Sequence, residues 1–375
     1  MKFGFLTEGD TPRGASVANR YHEIIREVQF LEEMNFDFWG SSEQHFTGPV
    51  ATISAPEVLY GAVAQATNRI KLRTMSTVML HFNHPIRTAE RLATLDIVSR
   101  GRVEFGTARG NNAGVVHTFE IDADGTKSEW RETLEVCVKA LTMDEIEHHG
   151  DFYNIKPTTV WPRLYQAEFP PIHVSATGIG THATAGKLGI GAMNASPFGW
   201  EYQRDCIKAF KDGLADAVPL PGASINRTMS FCVVGVHCAA TKEQALYEAR
   251  PSSLGFAKFL MTFYAAIGET SSEYAYLADV KKTLGSHRDD LPYLVDALPW
   301  FLIGTPDDII ERIHVFESMG VDEVILRMDG RGHRKIMESI EMFGKYVLPE
   351  FKNPANVVRS TQYEDAGVAP NPYML

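Results

Sequence analysis

The chain has 375 residues, 44% hydrophobic and 22% charged, with a formal net charge of −11. That is the composition of a soluble globular protein long enough for a deep core. No Lys/Arg-rich run is present, so nucleic acid is not an expected partner, and an anionic ligand has to be held by a local cation rather than by a general field. The four cysteines, Cys137, Cys206, Cys232 and Cys238, show no CxxC pair and no zinc spacing. They predict reduced, mostly buried thiols in a cytoplasmic protein. The opening Met1-Lys2-Phe3-Gly4-Phe5-Leu6 is too short for a signal peptide, and no apolar run is long enough to span a membrane.

Residues 2–6 read as a buried first strand, 7–19 as a loop rich in Gly, Pro and Asp, and 20–35 as an amphipathic helix. In that helix Ile24, Ile25, Val28 and Leu31 recur at helical spacing. Residues 36–42 form a second strand closing on Glu43-Gln44-His45-Phe46. Ser54, with Pro56 and Glu57 behind it, predicts a capped helix through Thr67. A third strand over 70–80 is followed by His81-Phe82-Asn83-His84-Pro85. The helix over 85–98 starts on proline, where a missing N–H costs nothing.

Residues 103–108 are the fourth strand, 111–126 a loop, and 129–147 a helix with Leu134, Cys137, Val138 and Leu141 on one face. Residues 151–169 carry Trp161-Pro162 and no periodicity, and read as an excursion. The fifth strand, 171–176, runs through Thr177-Gly178-Ile179-Gly180-Thr181 into a helix ending at Leu188. A sixth strand covers 189–195, a helix 202–217 and a seventh strand 229–238, with Thr241 capping the next helix.

From 251 to 301 the pattern breaks. Phe256, Phe259, Phe263, Tyr264, Tyr274, Tyr276 and Trp300 lie among Gly, Ser and charge, which predicts an insertion or a lid. Thr305 and Pro306 start a helix, 321–327 is the eighth strand and 335–346 the last helix. Eight strands alternating with helices predict an α/β fold, a (β/α)8 TIM barrel with insertions, as one domain over 1–351. A polar tail with three prolines follows over 352–375, expected to wrap the surface or a partner subunit.

Chemistry in such a barrel sits at the carboxyl ends of the strands. The fourth strand ends on Arg109-Gly110, a fixed cation beside backbone that a ligand can approach closely. Arg109 either binds a ligand or pairs with a carboxylate at the rim. After the fifth strand, the turn holding Thr177, Gly178 and Thr181 opens a helix whose amides and dipole suit a phosphate, or it is an ordinary capped turn. Glu43, Gln44 and His45 close the second strand. His45 can act as a general base, or Glu43 and His45 simply hydrogen-bond neighbouring loops. His84, before proline, reads as a turn residue. With His81 and His45 it has no metal-ligand spacing, so no metal is expected. Met75, Ser76, Thr77, Met79, Ala108 and Met193 give a mouth suited to a flat, partly apolar cofactor, or plain core.

Taken in order, Ser42-Glu43-Gln44-His45-Phe46, His84-Pro85-Ile86-Arg87 with Ala89-Glu90, and Ser99-Arg100-Gly101-Arg102 running into Phe105-Gly106-Thr107-Ala108-Arg109-Gly110 resemble the bacterial luciferase family of flavin-dependent monooxygenases. Gly304-Thr305-Pro306 with Met319-Gly320-Val321-Asp322 completes the match, which covers roughly residues 1–351. The resemblance implies reduced FMN supplied by a separate NAD(P)H:flavin reductase. It also implies reaction of the flavin with O2 to a C4a-hydroperoxide, and oxygenation of an apolar or aromatic small molecule. Hydroxylation, Baeyer–Villiger insertion and aldehyde oxidation all stay open.

Residue by residue, the resemblance implies cofactor contacts at Ser76, Thr77, Ala108, Arg109, Ser175, Thr177, Gly178 and Thr181, and catalytic roles for His45, Gln44 and Glu43. It also implies a non-proline cis peptide near Ser76–Thr77, and a homodimer or heterodimer. Three departures are visible. Gln44 stands where luciferases carry their catalytic histidine, Ala108 where they carry a reactive cysteine, and Thr177 where they carry a phosphate-site glutamate. Two rival readings follow: an F420-dependent oxidoreductase on the same barrel, and a flavin-binding protein that has lost turnover.

Overall fold

The computed structural model describes residues 1–352, so the expected tail over 353–375 lies outside the described residues. The first half runs β1 (Lys2–Thr7), α1 (Val17–Glu33), β2 (Phe38–Ser41), α2 (Pro56–Ala66), β3 (Lys71–Val78), α3 (Pro85–Val98), β4 (Val103–Ala108), α4 (Ala113–Thr118), α5 (Thr126–Thr142), β5 (Ile146–His149) and β6 (Asn154–Thr158). It continues as β7 (Ile172–Ala176), α6 (Ile179–Lys187), β8 (Gly191–Asn194), α7 (Trp200–Leu214), β9 (Met229–Val233), β10 (Gly235–Cys238), α8 (Lys242–Thr270), α9 (Leu291–Ala297), β11 (Phe301–Gly304), α10 (Pro306–Met319), β12 (Glu323–Arg327), α11 (His333–Tyr346) and α12 (Leu348–Phe351).

Eight of these strands close a parallel barrel in the order β1-β12-β9-β8-β7-β4-β3-β2. The expected (β/α)8 architecture is therefore present. Strands of such a barrel are covered on both faces, which is why β2, β8 and β12 are buried along their whole length. The helices pack outside on Phe3, Phe5, Ile24, Val28, Leu31 and Phe36. Leu6, Phe38, Met75, Met193 and Ile325 fill the inside.

The amino end of the barrel is plugged by charge. Arg73 donates to Glu104 at 2.7 Å and to Glu323 at 2.7 Å, and its guanidinium lies 3.7 Å over the Phe38 ring. Burial lifts the Glu323 carboxyl, but Arg73 outweighs it and holds the pKa at about 2. Beside them, burial and then the charge of Arg73 push His173 well below the usual histidine value. That layer leaves the carboxyl ends as the chemically available face.

Several elements differ from their sequence expectation. The N-cap of α2 is Ala55, with no side-chain cap; Ser54 stands one residue too early because Pro56 already occupies the first turn. The loop expected over 111–126 contains α4, capped by Asn112, whose Oδ1 accepts from Gly114 N at 2.8 Å. The helix expected over 129–147 stops at Thr142, and the chain returns as the hairpin β5–β6. The seventh strand splits. β9 stays in the barrel, whereas β10 turns out to pair with β11, and Val234 N and Gly235 N both donate to Trp300 O.

The broken stretch over 251–301 is mostly ordered helix. α8 runs 29 residues through Pro251, followed by 3-10 turns at Ser272–Leu277, Val280–Thr283 and Gly285–His287. It has its own core, in which Leu254, Ala257, Met261 and Ile267 of α8 meet Leu277, Leu291 and Trp300.

Among the described residues the cis peptides are Gly48–Pro49 and Trp161–Pro162, so the bond near Ser76–Thr77 is not cis. β3 carries a one-residue bulge there instead. Thr74 faces Phe105 and Thr77 faces Thr107, three residues against two. The bulge is held by Gly106, whose N donates to Thr74 Oγ1 at 2.9 Å. A Cβ on Gly106 would sit 1.7 Å from Thr74 O, so no other residue fits.

Candidate active site

All eight barrel strands send residues into one cavity at their carboxyl ends. Leu6 and Glu8 come from β1 and its exit, Ser42, Glu43 and Gln44 from that of β2, and Met75, Ser76 and Val78 from β3. Ala108, Arg109, Ser175, Thr177, Met193, Cys232, Val234, Ile325 and Arg327 complete the ring, with Thr181 from α6. Phe256, Leu260 and Tyr264 recur every four residues on one face of α8 and, with Tyr274, form the outer wall. The cavity encloses about 1000 Å³ counted out to its open mouth, the size of a small-molecule or cofactor site.

The bulge in β3 decides which residues point in. Ordinary alternation would send Met75 inward and Ser76 outward. With the extra residue, Met75, Ser76 and Val78 all line the cavity, while Thr74 and Thr77 face Tyr60, Leu92 and Phe105 on the helix side. Ser76 is thus brought to the site, and Thr77, expected beside it, is not.

One end of the cavity gathers Arg109, Ser175, Thr177 and Thr181. There α6 begins at Gly178 with no side-chain cap; Thr181 N donates to Gly178 O at 3.1 Å and Ile179 bonds the Tyr202 hydroxyl, which leaves the Gly180 amide of the first turn for another partner. Gly178 itself does not line the cavity. Its place in the chain is fixed by crowding, since a Cβ would lie 2.8 Å from the Tyr276 ring. Arg109 does pair with a carboxylate, as one alternative held: its Nη1 contacts Glu273 Oε2 at 2.6 Å. The Tyr274 ring covers the guanidinium at 4.6 Å, and Tyr276 OH meets Thr177 Oγ1 at 2.6 Å. The 3-10 turn Ser272–Leu277 therefore sits over this end of the cavity.

Glu43, Gln44 and His45 separate. Glu43 lines the cavity, but its oxygens already accept from Val78 N at 3.0 Å, Asn83 Nδ2 at 2.8 Å and His45 Nε2 at 3.0 Å. It ties the end of β2 to β3. His45 is one side chain removed from the cavity, behind Glu43 and against Phe82 and Phe119. Gln44 does reach the cavity, and its Nε2 donates to Ser42 Oγ at 3.3 Å. His84 is the N-cap of α3, and His81 contacts Glu129 at 3.1 Å. Among the described residues no group of three or more His, Cys, Asp or Glu is placed to hold a metal ion.

Sequence reasoning missed the polar floor on the other side. Ser42 Oγ donates to Glu8 Oε1 at 2.9 Å, Arg327 Nε to Glu8 Oε2 at 2.9 Å and Arg327 Nη2 to Asp10 Oδ2 at 3.0 Å. Behind them Asp329 accepts from Glu8 N at 2.6 Å and from Arg20 at 2.9 Å. The rule that singles out Arg109, a cation closing a barrel strand, also singles out Arg327. Cys232 lies in this floor, where burial and then the charge of Glu8 push its thiol up to about 12, so it is no nucleophile.

The luciferase-like monooxygenase family model matches residues 1–323. The chain is 25% identical to limonene 1,2-monooxygenase of Rhodococcus erythropolis over 88% of its length and 81% of that protein. It is 26% identical to the oxygenase component of a flavin-dependent trigonelline monooxygenase of Acinetobacter baylyi, over 88% and 90%. It is also 24% identical to an F420-dependent glucose-6-phosphate dehydrogenase of Segniliparus rotundus, over 75% and 79%. A solved structure of the oxygenating constituent of 3,6-diketocamphane monooxygenase from Pseudomonas putida, in complex with FMN, superposes with a TM-score of 0.74. It is 20% identical and covers 93% of this chain and 98% of that one, which speaks for the fold. By its barrel and by the match over most of its length, the chain belongs to the luciferase-like monooxygenase family.

Proposed function

We propose that this protein is the oxygenating member of a two-component pair. It takes reduced FMN from a separate NAD(P)H:flavin reductase and uses O2 to oxygenate an apolar or aromatic small molecule. The observation that carries this reading is the cluster of Arg109, Ser175, Thr177 and Thr181 around the uncapped start of α6, at one end of a largely apolar cavity. A guanidinium, hydroxyls and a helix amide are the donor set a phosphate monoester needs. The reductase rests on the trigonelline relative, described as an oxygenase component.

When bound, reduced flavin supplies the electrons that activate O2. The chain's own residues do the rest. Arg109 and the opening of α6 hold the phosphate once Glu273 has moved aside. Gln44 offers an amide at the cavity but cannot remove a proton, which argues against the luciferase reaction. Phe256, Leu260 and Tyr264 keep water from the reacting groups. We place the paired subunits expected from the sequence in the same reading.

Anaerobic titration with reduced FMN is the direct test. Arg109→Ala is expected to weaken binding by about tenfold or more, the loss of one charge-assisted contact. Equal affinity in both proteins would refute the phosphate assignment. The F420-dependent relative favours a second reading; binding of F420 in preference to reduced FMN, with no O2 uptake, would establish it.

A further inference from the structure

Arg327 is the most constrained cation of the cavity. Its side chain is 2% exposed and lines the floor. Nε is taken by Glu8 and Nη2 by Asp10, and the Phe256 ring covers one face with its centroid 3.4 Å from Cζ. Among the described residues nothing accepts from Nη1. Nη1 is not among the fully buried polar atoms without a partner, so it keeps accessible surface and stands as a donor open to whatever fills the cavity. Of the same lining, Leu6, Val234, Leu260 and Ile325 are hydrocarbon, Ser42 already gives its hydroxyl to Glu8, and Tyr264 lies near Glu8 and Cys232.

Charge decides what kind of acceptor fits. Arg327 already faces three carboxylates: it is ion-paired with Glu8 and Asp10, and Asp329 lies close by. Burial, with help from Asp329, raises Asp10 above the usual carboxylate range, the mark of a crowded acidic corner. A ligand carboxylate would add a further negative charge to a site of low dielectric, where like charges repel strongly. A neutral oxygen with free lone pairs meets Nη1 without that penalty.

We propose that Arg327 Nη1 is the polar anchor for the substrate, and that the substrate is a neutral, largely apolar molecule carrying a ketone-type carbonyl oxygen. This rests on the reading of the cavity as an oxygenase site. Arg327 acts here as a specificity-determining residue, while Phe256 and Leu260 of α8 receive the apolar body.

The test uses three small probes on the flavin-free full chain, with affinities from ligand-observed NMR: acetophenone, α-methylstyrene and benzoate. The first two differ in replacing a carbonyl oxygen with a methylene group. Acetophenone is expected to bind about tenfold tighter than either of the others, the value of one hydrogen bond to a charged group. In the double variant Glu8→Gln/Arg327→Gln, which removes charge and counter-charge together, that preference is expected to fall away. Equal binding of acetophenone and α-methylstyrene, tightest binding of benzoate, or failure of all three to bind overturns the proposal. Survival of the ketone preference in a folded double variant does the same. If that variant does not fold, the comparison on the unaltered protein decides alone. Reduced-FMN affinity, measured separately, tells a failure of this anchor from a failure of the oxygenase reading.

Discussion

Glu43 and His45 show how one hydrogen bond can move a residue from the chemistry to the scaffold. His45 spends Nε2 on Glu43, and its backbone carbonyl accepts from Asn112 at 2.6 Å. Phe46, next in the chain, takes a left-handed backbone (φ 61°), which turns the segment outward after Gln44. We expect His45→Ala to leave reduced-flavin affinity within about threefold, since His45 is not part of the cavity lining. Glu43→Gln places an amide donor against Asn83 and Val78 N, and should lower stability by about 1–3 kcal/mol; urea unfolding monitored by tryptophan fluorescence measures it. At this scale the strand-end rule placed Gln44, Arg109 and Thr177 at the cavity from letters alone. It failed at Thr77 because the slip that turns Ser76 inward depends on how Gly106 meets Thr74 across two strands. A single strand's letters do not carry that contact.

Caps divide the elements in the same way. Thr305 Oγ1 accepts from Asp308 N at 3.3 Å and the Asp308 carboxylate accepts from Thr305 N at 2.9 Å, a reciprocal pair at the start of α10. Ser54 makes no such contact with α2. Thr305→Ala should therefore cost about 1 kcal/mol, and Ser54→Ala should stay within about 0.5 kcal/mol, both read from denaturant midpoints. The letters at the two starts look alike; what differs is the distance from cap to proline. The split of β9 from β10 was illegible for a related reason. An apolar run reads as one strand whether it continues straight or bends at Gly235 to meet Trp300. In α8 the helical recurrence of Phe256, Leu260 and Tyr264 was in the sequence, but Pro251 and the glycines at 255 and 268 masked it.

For the molecule as a whole, three buried histidines, His173, His182 and His237, set the acid limit, and two of them can be followed in detail. His182, wholly buried with Nδ1 2.9 Å from Gly178 O, is lowered to about 4 by burial. His237, bonded to Glu248 at 2.8 Å, is lowered to about 4 by burial and then by Arg331. Both keep the neutral form in the folded chain and protonate near 6.5 when unfolded. Between those values the unfolded chain binds more protons, so stability is full above about 6.5 and falls as the pH drops toward 4. The loss is on the order of a few kcal/mol. Urea midpoints at pH 7.5 and 5 should show it, and His182→Asn should flatten the slope. The alternation of eight strands made the barrel itself legible, because burial on both faces leaves a recognisable apolar run. The ion pairs inside it join residues as far apart as Arg73 and Glu323, and no local pattern announces them.

That sealed lower end has a kinetic meaning. With the amino end plugged by Arg73, traffic to Cys232 and Ile325 comes from the carboxyl face, past Phe256 and Leu260 of α8. Whatever enters first lies deepest and must wait for later arrivals to leave. Exchange of the deep occupant should then slow as the concentration of the outer one rises.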